Sequence, residues 1–271
     1  MPSVRSRGVS SRRKAWHENI VEAFASIARA VPSGHVESTG GVTLVRSGVA
    51  SSGYNIVFAL DPPVSAGRLE GRIEETFTRH GVPWHLTTSS ATTPSFERLI
   101  RDHRLSQHLV HPAFVWAPLP EAAPPLPRGL EIAPVRTLEE MRSFVRILIE
   151  GFGEASGVFD RWLDEATATS RPGSVTRGLY LGCVDGQPAC TASRITTGDI
   201  AGIYAVATLP EFRRRGFATA ITARAAIDGR AEGCQESYLQ ATELGRPVYE
   251  KMGYRLVEEY DEWYPEERLT P

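Results

Sequence analysis

Three consecutive arginines mark the most chemically pointed stretch of this chain, 206-VATLPEFRRRGFATAI-221. The run after Gly216 is comfortable only as a helix, so Arg213, Arg214 and Arg215 stand at a helix entrance. That end carries the positive pole of the helix dipole and N–H groups without intrahelical acceptors, so added cations repel it unless an anion joins them. A strand, a short turn, a glycine and then a helix is the arrangement that aims backbone amides at phosphate. A large side chain at Gly216 or Ala218 would keep such a ligand from the backbone, and guanidinium groups can neutralise it or donate to it. The chemistry indicated is recognition of a phosphorylated ligand.

Composition confines that site to one place. The chain has 271 residues, 41% hydrophobic and 23% charged, with a formal net charge of −2. Those are globular values, and the charge balance argues against a general nucleic-acid or membrane-surface binder, which needs a broad basic face. The first fourteen residues, MPSVRSRGVSSRRK, carry five cations, no acid and no apolar core, and read as a basic disordered leader and not a secretory signal. No run approaches the roughly eighteen apolar residues of a membrane span. Cys183, Cys190 and Cys234 form no C-x-x-C pair, which suggests neither a disulfide framework nor a zinc site and fits a reduced, cytoplasmic setting without a metal.

The elements that must position the arginines follow from periodicity and turn signals. The segment 117-APLPEAAPPLPRG-129 has five prolines and reads as a stiff linker between a domain at 15–116 and a second at 130–271. Upstream, the pattern predicts helices at 15–31, 65–80 and 94–103 and strands at 42–46, 54–60, 82–86 and 113–117. Downstream it predicts a strand at 130–135 and a helix at 137–152, opened by a Thr137/Glu140 capping box. Strands at 178–184 and 188–196 flank the hairpin signal Asp185-Gly186, and a further strand runs over 200–208. A helix to Ala231, a strand at 237–242, a helix at 245–253 and a strand at 254–264 complete an α/β (α+β) fold with a mixed sheet.

With Arg213, Gly216 and Ala218, the arginine stretch resembles the Arg/Gln-x-x-Gly-x-Gly/Ala signature of the GNAT family, the Gcn5-related N-acyltransferases. A second likeness lies in 239-LQATELGRPVYEKMGY-254, similar to that family's late strand and short helix ending in Tyr-x-x-x-Gly-Phe/Tyr. The resemblance covers roughly residues 130 to 265. It implies acetyl-CoA as donor, with its pyrophosphate on the amides of Arg214, Arg215, Gly216, Phe217, Ala218 and Thr219 and its pantetheine arm paired to Val206, Ala207 and Thr208. Arg213 either contacts phosphate or pins the loop. Tyr249 takes the place of a tyrosine beside the CoA sulfur, where a neutral phenol can protonate the leaving thiolate, although a plain core residue would look the same. The N-terminal half lacks the arginine motif, and its element order resembles a degenerate second GNAT unit.

Other roles are less determined. The strand position where some relatives carry a glutamate base is Gly202, which leaves Glu243, Asp199, Tyr204, Glu258 and Glu259 as candidates. A strand N–H, from Val206 or Thr208, would hold the oxyanion. Phe152, Phe159, Trp162, Tyr204, Tyr260 and Trp263 would line an acceptor pocket or else serve as ordinary core. Cys190, in an apolar strand, reads as inert. All seven histidines fall in the first half; His103, His108 and His111 lack metal-site spacing and read as exposed or capping residues, and service of His85, His103, His108 or His111 as a base stays open. The expected activity is acetyl transfer to a small-molecule amine by direct attack. The alternatives are an aminoacyl transferase that uses charged tRNA and a silent acyl-CoA-binding module. A free edge strand leaves homodimerisation open.

Overall fold

The computed structural model describes residues 4–62, 69–169 and 178–265. In chain order its helices and strands are α1 (Val4–Arg29), β1 (His35–Thr39), β2 (Val42–Arg46), β3 (Asn55–Ala59), α2 (Leu69–Thr76), β4 (His85–Ser89), α3 (Glu97–Asp102) and β5 (Leu105–Trp116). Then follow β6 (Leu130–Pro134), α4 (Leu138–Phe152), α5 (Asp160–Thr169), β7 (Leu179–Val184), β8 (Gln187–Thr197), β9 (Ile200–Thr208), α6 (Phe217–Ala231), β10 (Glu236–Gln240), α7 (Arg246–Met252) and β11 (Arg255–Pro265). The chain divides into two compact units, one of Met1–Pro112, Asp160–Glu165 and Glu258–Pro271, the other of Ala113–Phe159 and Ala166–Val257.

In the first unit β1, β2 and β3 form an antiparallel meander, β4 runs parallel to β3, and β11 pairs antiparallel to β4 with Trp263 opposite Leu86. Its core gathers Val42, Leu44 and Val57 from the strands with Leu69, Ile73, Phe77 and Phe96 from the helical segments. Unbroken burial of β3 fits its Ile-Val-Phe run. The ends of β3 and β4 are tied by side chains: the Ser89 hydroxyl donates to the Leu60 carbonyl at 2.8 Å, and the Thr92 hydroxyl donates to the Ala59 carbonyl.

In the second unit β6 through β9 are antiparallel neighbours, β10 lies parallel to β9, and residues 113–116 of β5 pair antiparallel to β10. The β7–β8 hairpin turns on Asp185 (φ 50°) and Gly186 (φ 78°), the left-handed pair that a two-residue hairpin turn requires. Helix α4 starts with the full capping box: the Thr137 hydroxyl accepts from the Glu140 amide, and the Glu140 carboxylate accepts from the Thr137 amide. Helix α6 is rich in alanine, and a methyl added to Gly229 would lie 2.6 Å from the Ala201 side chain. Small residues thus bring α6 close to β9.

The structure departs from the sequence reading at several points. The basic segment from Val4 onward is helical, the start of α1 and not a disordered leader. The proline-rich stretch 117–129 belongs to the second unit, with Leu119 in its core and the Leu119 carbonyl accepting from Arg230 at 2.5 Å. The division falls at 112/113, within β5, and the C-terminal residues from Glu258 join the first unit. Strand β1 and helix α5 have no signal in the sequence pattern, β4 starts three residues later than expected, and β5 is much longer. Residues 65–68 of the expected helix at 65–80 lie outside the described residues.

Candidate functional site

Towards its C-terminal end strand β9 parts from β10 and is bulged against β8. Towards β10 the parallel register runs from Ile200 opposite Glu236 to Gly202 opposite Tyr238 and stops there, although β9 continues to Thr208. Towards β8, Thr191 faces Ala207 and Ser193 faces Tyr204, so two residues of β9, Ala205 and Val206, oppose Ala192 alone. This is a β-bulge, with Ala205 in the left-handed region at φ 53°. The buried Thr191 hydroxyl donates to the Ala205 carbonyl at 2.9 Å, supplying a partner to a group that the bulge removes from the ladder. The bulge also inverts the side-chain phase: Ile203 and Val206, three apart, both join the cluster that contains Phe217, Ala220 and Tyr249.

From Thr208 the chain passes through a 3-10 turn (Pro210–Phe212) into the arginines. Arg214 (φ 60°) and Gly216 (φ 80°) both adopt left-handed backbone, which is costly for the former and free for glycine. Gly216 is the N-cap of α6 and offers no side chain to cap it. The ladder of α6 begins with the Ala220 amide donating to the Gly216 carbonyl, so the amides of Phe217, Ala218 and Thr219 precede it without intrahelical acceptors. Arg213, though exposed, is tied to the backbone: its guanidinium donates to the carbonyls of Thr208 at 3.0 Å and Gly151 at 3.3 Å. Arg215 lies over the rings of Phe217 (4.8 Å) and Phe212 (5.7 Å). Helix α4 ends hard against β9 here, since a methyl on Gly151 would be 2.8 Å from the Ala207 side chain.

Tyr249, on α7, is 6% exposed and meets Tyr254 edge to face with ring centres 5.7 Å apart. Burial raises its phenol well above the ordinary value, so the proton stays on at neutral pH. Its hydroxyl has no hydrogen-bond partner among the described residues.

The open end of β9, the uncapped start of α6 and the buried Tyr249 adjoin one cluster, which holds Val206, Phe217 and Tyr249. Residues 135–257 match the family model described as "Acetyltransferase (GNAT) domain". The chain carries a GNAT domain. A GCN5-related N-acetyltransferase from Kribbella flavida superposes with a TM-score of 0.65 at 16% identity, covering 92% of this chain and 94% of that one. Another, from Sphaerobacter thermophilus, gives a TM-score of 0.57 at 18% identity over 84% and 81%. Identities this low establish likeness of fold. No curated protein matches the chain significantly.

Within the GNAT domain the remaining sequence candidates are placed unevenly. Val206, Ala207 and Thr208 form the open end of β9, and Arg214, Gly216, Ala218 and Thr219 line the turn into α6. Glu243 is exposed in the loop before α7, and Asp199 sits in the β8–β9 turn, where its carbonyl accepts from the Gln235 amide at 2.8 Å. Tyr204 is on β9, its phenol raised far above the ordinary value by burial, which disfavours it as a base. Cys190 is fully buried and its thiol is pushed up to about 12 by burial, an inert setting.

The aromatic set is divided between the two units. Phe152 is exposed at the end of α4 and Phe159 is buried in the second unit, whereas Trp162, Tyr260 and Trp263 belong to the first. There the Trp162 indole donates to the Ile27 carbonyl, the Trp263 indole donates to Thr88, and Tyr260 is fully buried. These three are structural residues of the first unit. Glu258, also in that unit, is engaged by His17 and Arg13, and Glu259 is exposed.

The histidines are not surface groups throughout. His85 is buried, with Nδ1 2.8 Å from the Ser52 carbonyl, and His111 is 2.7 Å from the buried Glu262. His103 meets Trp84 edge to face, while the His108 side chain lies outside the described residues. Among the described residues no group of three or more His, Cys, Asp or Glu is placed to hold a metal ion, and no helix is long and apolar enough to cross a membrane.

Proposed function

We propose that the GNAT domain transfers an acetyl group from acetyl-CoA to the amine of a small molecule by direct attack. One observation carries this reading: β9 parts from β10 after Gly202 and leads, six residues later, into a turn whose helix begins with uncapped amides. An extended amide-bearing arm that ends in a pyrophosphate fits those two features in sequence. The arm would hydrogen-bond to the free edge of Val206, Ala207 and Thr208, and the pyrophosphate would take the amides of Phe217, Ala218 and Thr219. Arg214 and Arg215 add positive charge beside it, while Arg213 holds the turn against β9 and α4.

In the reaction the amine lone pair attacks the thioester carbonyl carbon, the nitrogen then gives up a proton to solvent, the carbon–sulfur bond breaks, and the thiolate leaves; solvent afterwards restores the proton that the acid gives to sulfur. Tyr249, kept protonated by burial, would be the acid that returns a proton to sulfur. A backbone N–H at the bulge, that of Val206, would hold the developing oxyanion. The amine must arrive neutral, having lost its extra proton to solvent or to a group such as Glu243. The first unit repeats the order helix, three antiparallel strands, helix, parallel strand, helix, strand, and we read it as a degenerate copy without a donor site.

Calorimetric titration of the full chain with acetyl-CoA tests the reading, beside Gly216→Trp and a charged-tRNA control. Saturable binding lost in the variant is expected. Absence of acetyl-CoA binding overturns the assignment, and binding without turnover of any amine favours a silent acyl-CoA-binding module.

A further inference from the structure

Building on the acetyl-transfer reading, we propose that Gln240 determines acceptor specificity in the GNAT domain by selecting amines that carry an oxygen atom close to the amino group. Gln240 is the last residue of β10, and its neighbour on β5 is Ala113, only a methyl group. On the other side the parallel register ends with Tyr238 opposite Gly202. Carried on by two residues, it sets Gln240 across from Tyr204, at the apex of the opening between the strands.

Side-chain alternation fixes the face. Leu239 and its partner Phe114 point into the cluster with Phe217, Ala220 and Tyr249. Gln240 and Ala113 therefore point to the opposite face, which Tyr238 and Tyr204 share. Tyr249, the acid for the departing sulfur, belongs to the first face. An amine adds to the thioester carbonyl from above or below its plane, and the first face is filled by the cluster around Tyr249, so the acceptor arrives on the face of Gln240.

The Gln240 carboxamide nitrogen is shut off from solvent and has no hydrogen-bond partner among the described residues. Groups so placed are nearly always bonded in working proteins. Among the described residues of this unit, sealed polar atoms without a partner occur on Arg194, Thr208, Thr222 and Gln240. Arg194 is paired to Glu232 through another nitrogen, and Thr222 lies within α6. The other two flank the opening: Thr208 ends β9 and Gln240 ends β10. An uncharged N–H donor at that point matches a hydroxyl, carbonyl or carboxylate oxygen of the acceptor. An acceptor without such an oxygen would leave the N–H unpaired, and sites built this way reject the deoxygenated analogue by about 10²-fold or more.

The test uses the full chain, acetyl-CoA and thiol release, with amines in matched pairs: ethanolamine beside n-propylamine, and glycinamide beside isobutylamine. The oxygenated member of each pair should show a kcat/KM about 10²-fold higher. Gln240→Leu, with Gln240→Met as a second variant checked for folding by circular dichroism, should bring the ratio to within about threefold while acetyl-CoA affinity holds. Equal rates within the pairs, or a ratio that the variants leave intact, overturns the proposal. So does a uniform fall in kcat for all four amines, which would place Gln240 on the thioester carbonyl instead. Acetyl-CoA binding with no amine turned over defeats this inference and leaves the donor site standing, whereas failure to bind acetyl-CoA defeats the reading beneath it.

Discussion

Tyr249 and His17 show burial acting in opposite directions on chemistry. Nothing offsets desolvation at Tyr249, so its phenol is held in the acid form, as proton delivery to a thiolate demands. Tyr249→Phe keeps the ring and removes the proton; we expect kcat to fall about 10²–10⁴-fold with acetyl-CoA affinity preserved. Steady-state kinetics with unchanged turnover would remove Tyr249 from the mechanism. At His17 burial alone would lower the pKa, but hydrogen bonds to Asp61 and Glu258, each 2.8 Å away, and their charges raise it above the ordinary 6.5. An imidazolium bound this way stabilises the folded state fully below pH 6.5, and the contribution is lost as pH rises through the raised folded value. Urea titrations at stepped pH should therefore show a decline in stability on the alkaline side that is shallower in His17→Gln. Parallel slopes in the two proteins would mean that His17 does not titrate in that window.

The arginine turn works only because the elements around it are held in an irregular form. Thr191 supplies the partner for the Ala205 carbonyl at the bulge, and Arg213 supplies partners for the carbonyls of Thr208 and Gly151. Thr191→Val is nearly isosteric and leaves the Ala205 carbonyl without its partner, at a cost of about 1–3 kcal/mol. Chemical denaturation should register that loss, and a midpoint within error of the parent would show that the bulge stands without Thr191. Much of this region was legible in the sequence, because its signals are local: Asp185-Gly186 for the hairpin, Thr137 and Glu140 for the start of α4, Gly216 after the arginines for the start of α6. The bulge was not legible, since Ala205 and Val206 look like ordinary strand residues and only the register against β8 reveals them. Nor was β1, whose His-Val-Glu-Ser-Thr sequence is largely exposed and carries no alternation to read. Thr87, Thr88 and Ser89 resemble turn residues, so the pattern places the strand ahead of β4, yet they are buried. Gln240 gave no sign of its own, since an unpaired amide becomes visible only once its surroundings are known.

At the scale of the whole chain, one order of elements occurs twice and differs at the point where the chemistry lies. In the first unit the parallel pair stays in register to the end of β3, Ala59 opposite Thr88, and the hydroxyls of Ser89 and Thr92 close its end. In the second, β9 outruns its pairing with β10 by six residues, from Gly202 to Thr208, and is left open. Sequence patterns announced strands in both places, but a strand's propensity does not name its partner. Local patterns therefore do not give the limits of the two units: β11 follows α7 in the chain yet pairs with β4, and the end of β5 pairs with β10. The first unit thus depends on residues 258–265 for the neighbour of β4, for the buried Tyr260 and Glu262, and for the Glu258 carboxylate on His17. A fragment of residues 1–112 would leave β4 an unpaired edge beside exposed core, the arrangement that drives aggregation. We expect that fragment to be unfolded or aggregated by circular dichroism and gel filtration. A soluble monomer with a cooperative thermal transition would show that the first unit holds its fold without the C-terminal strand.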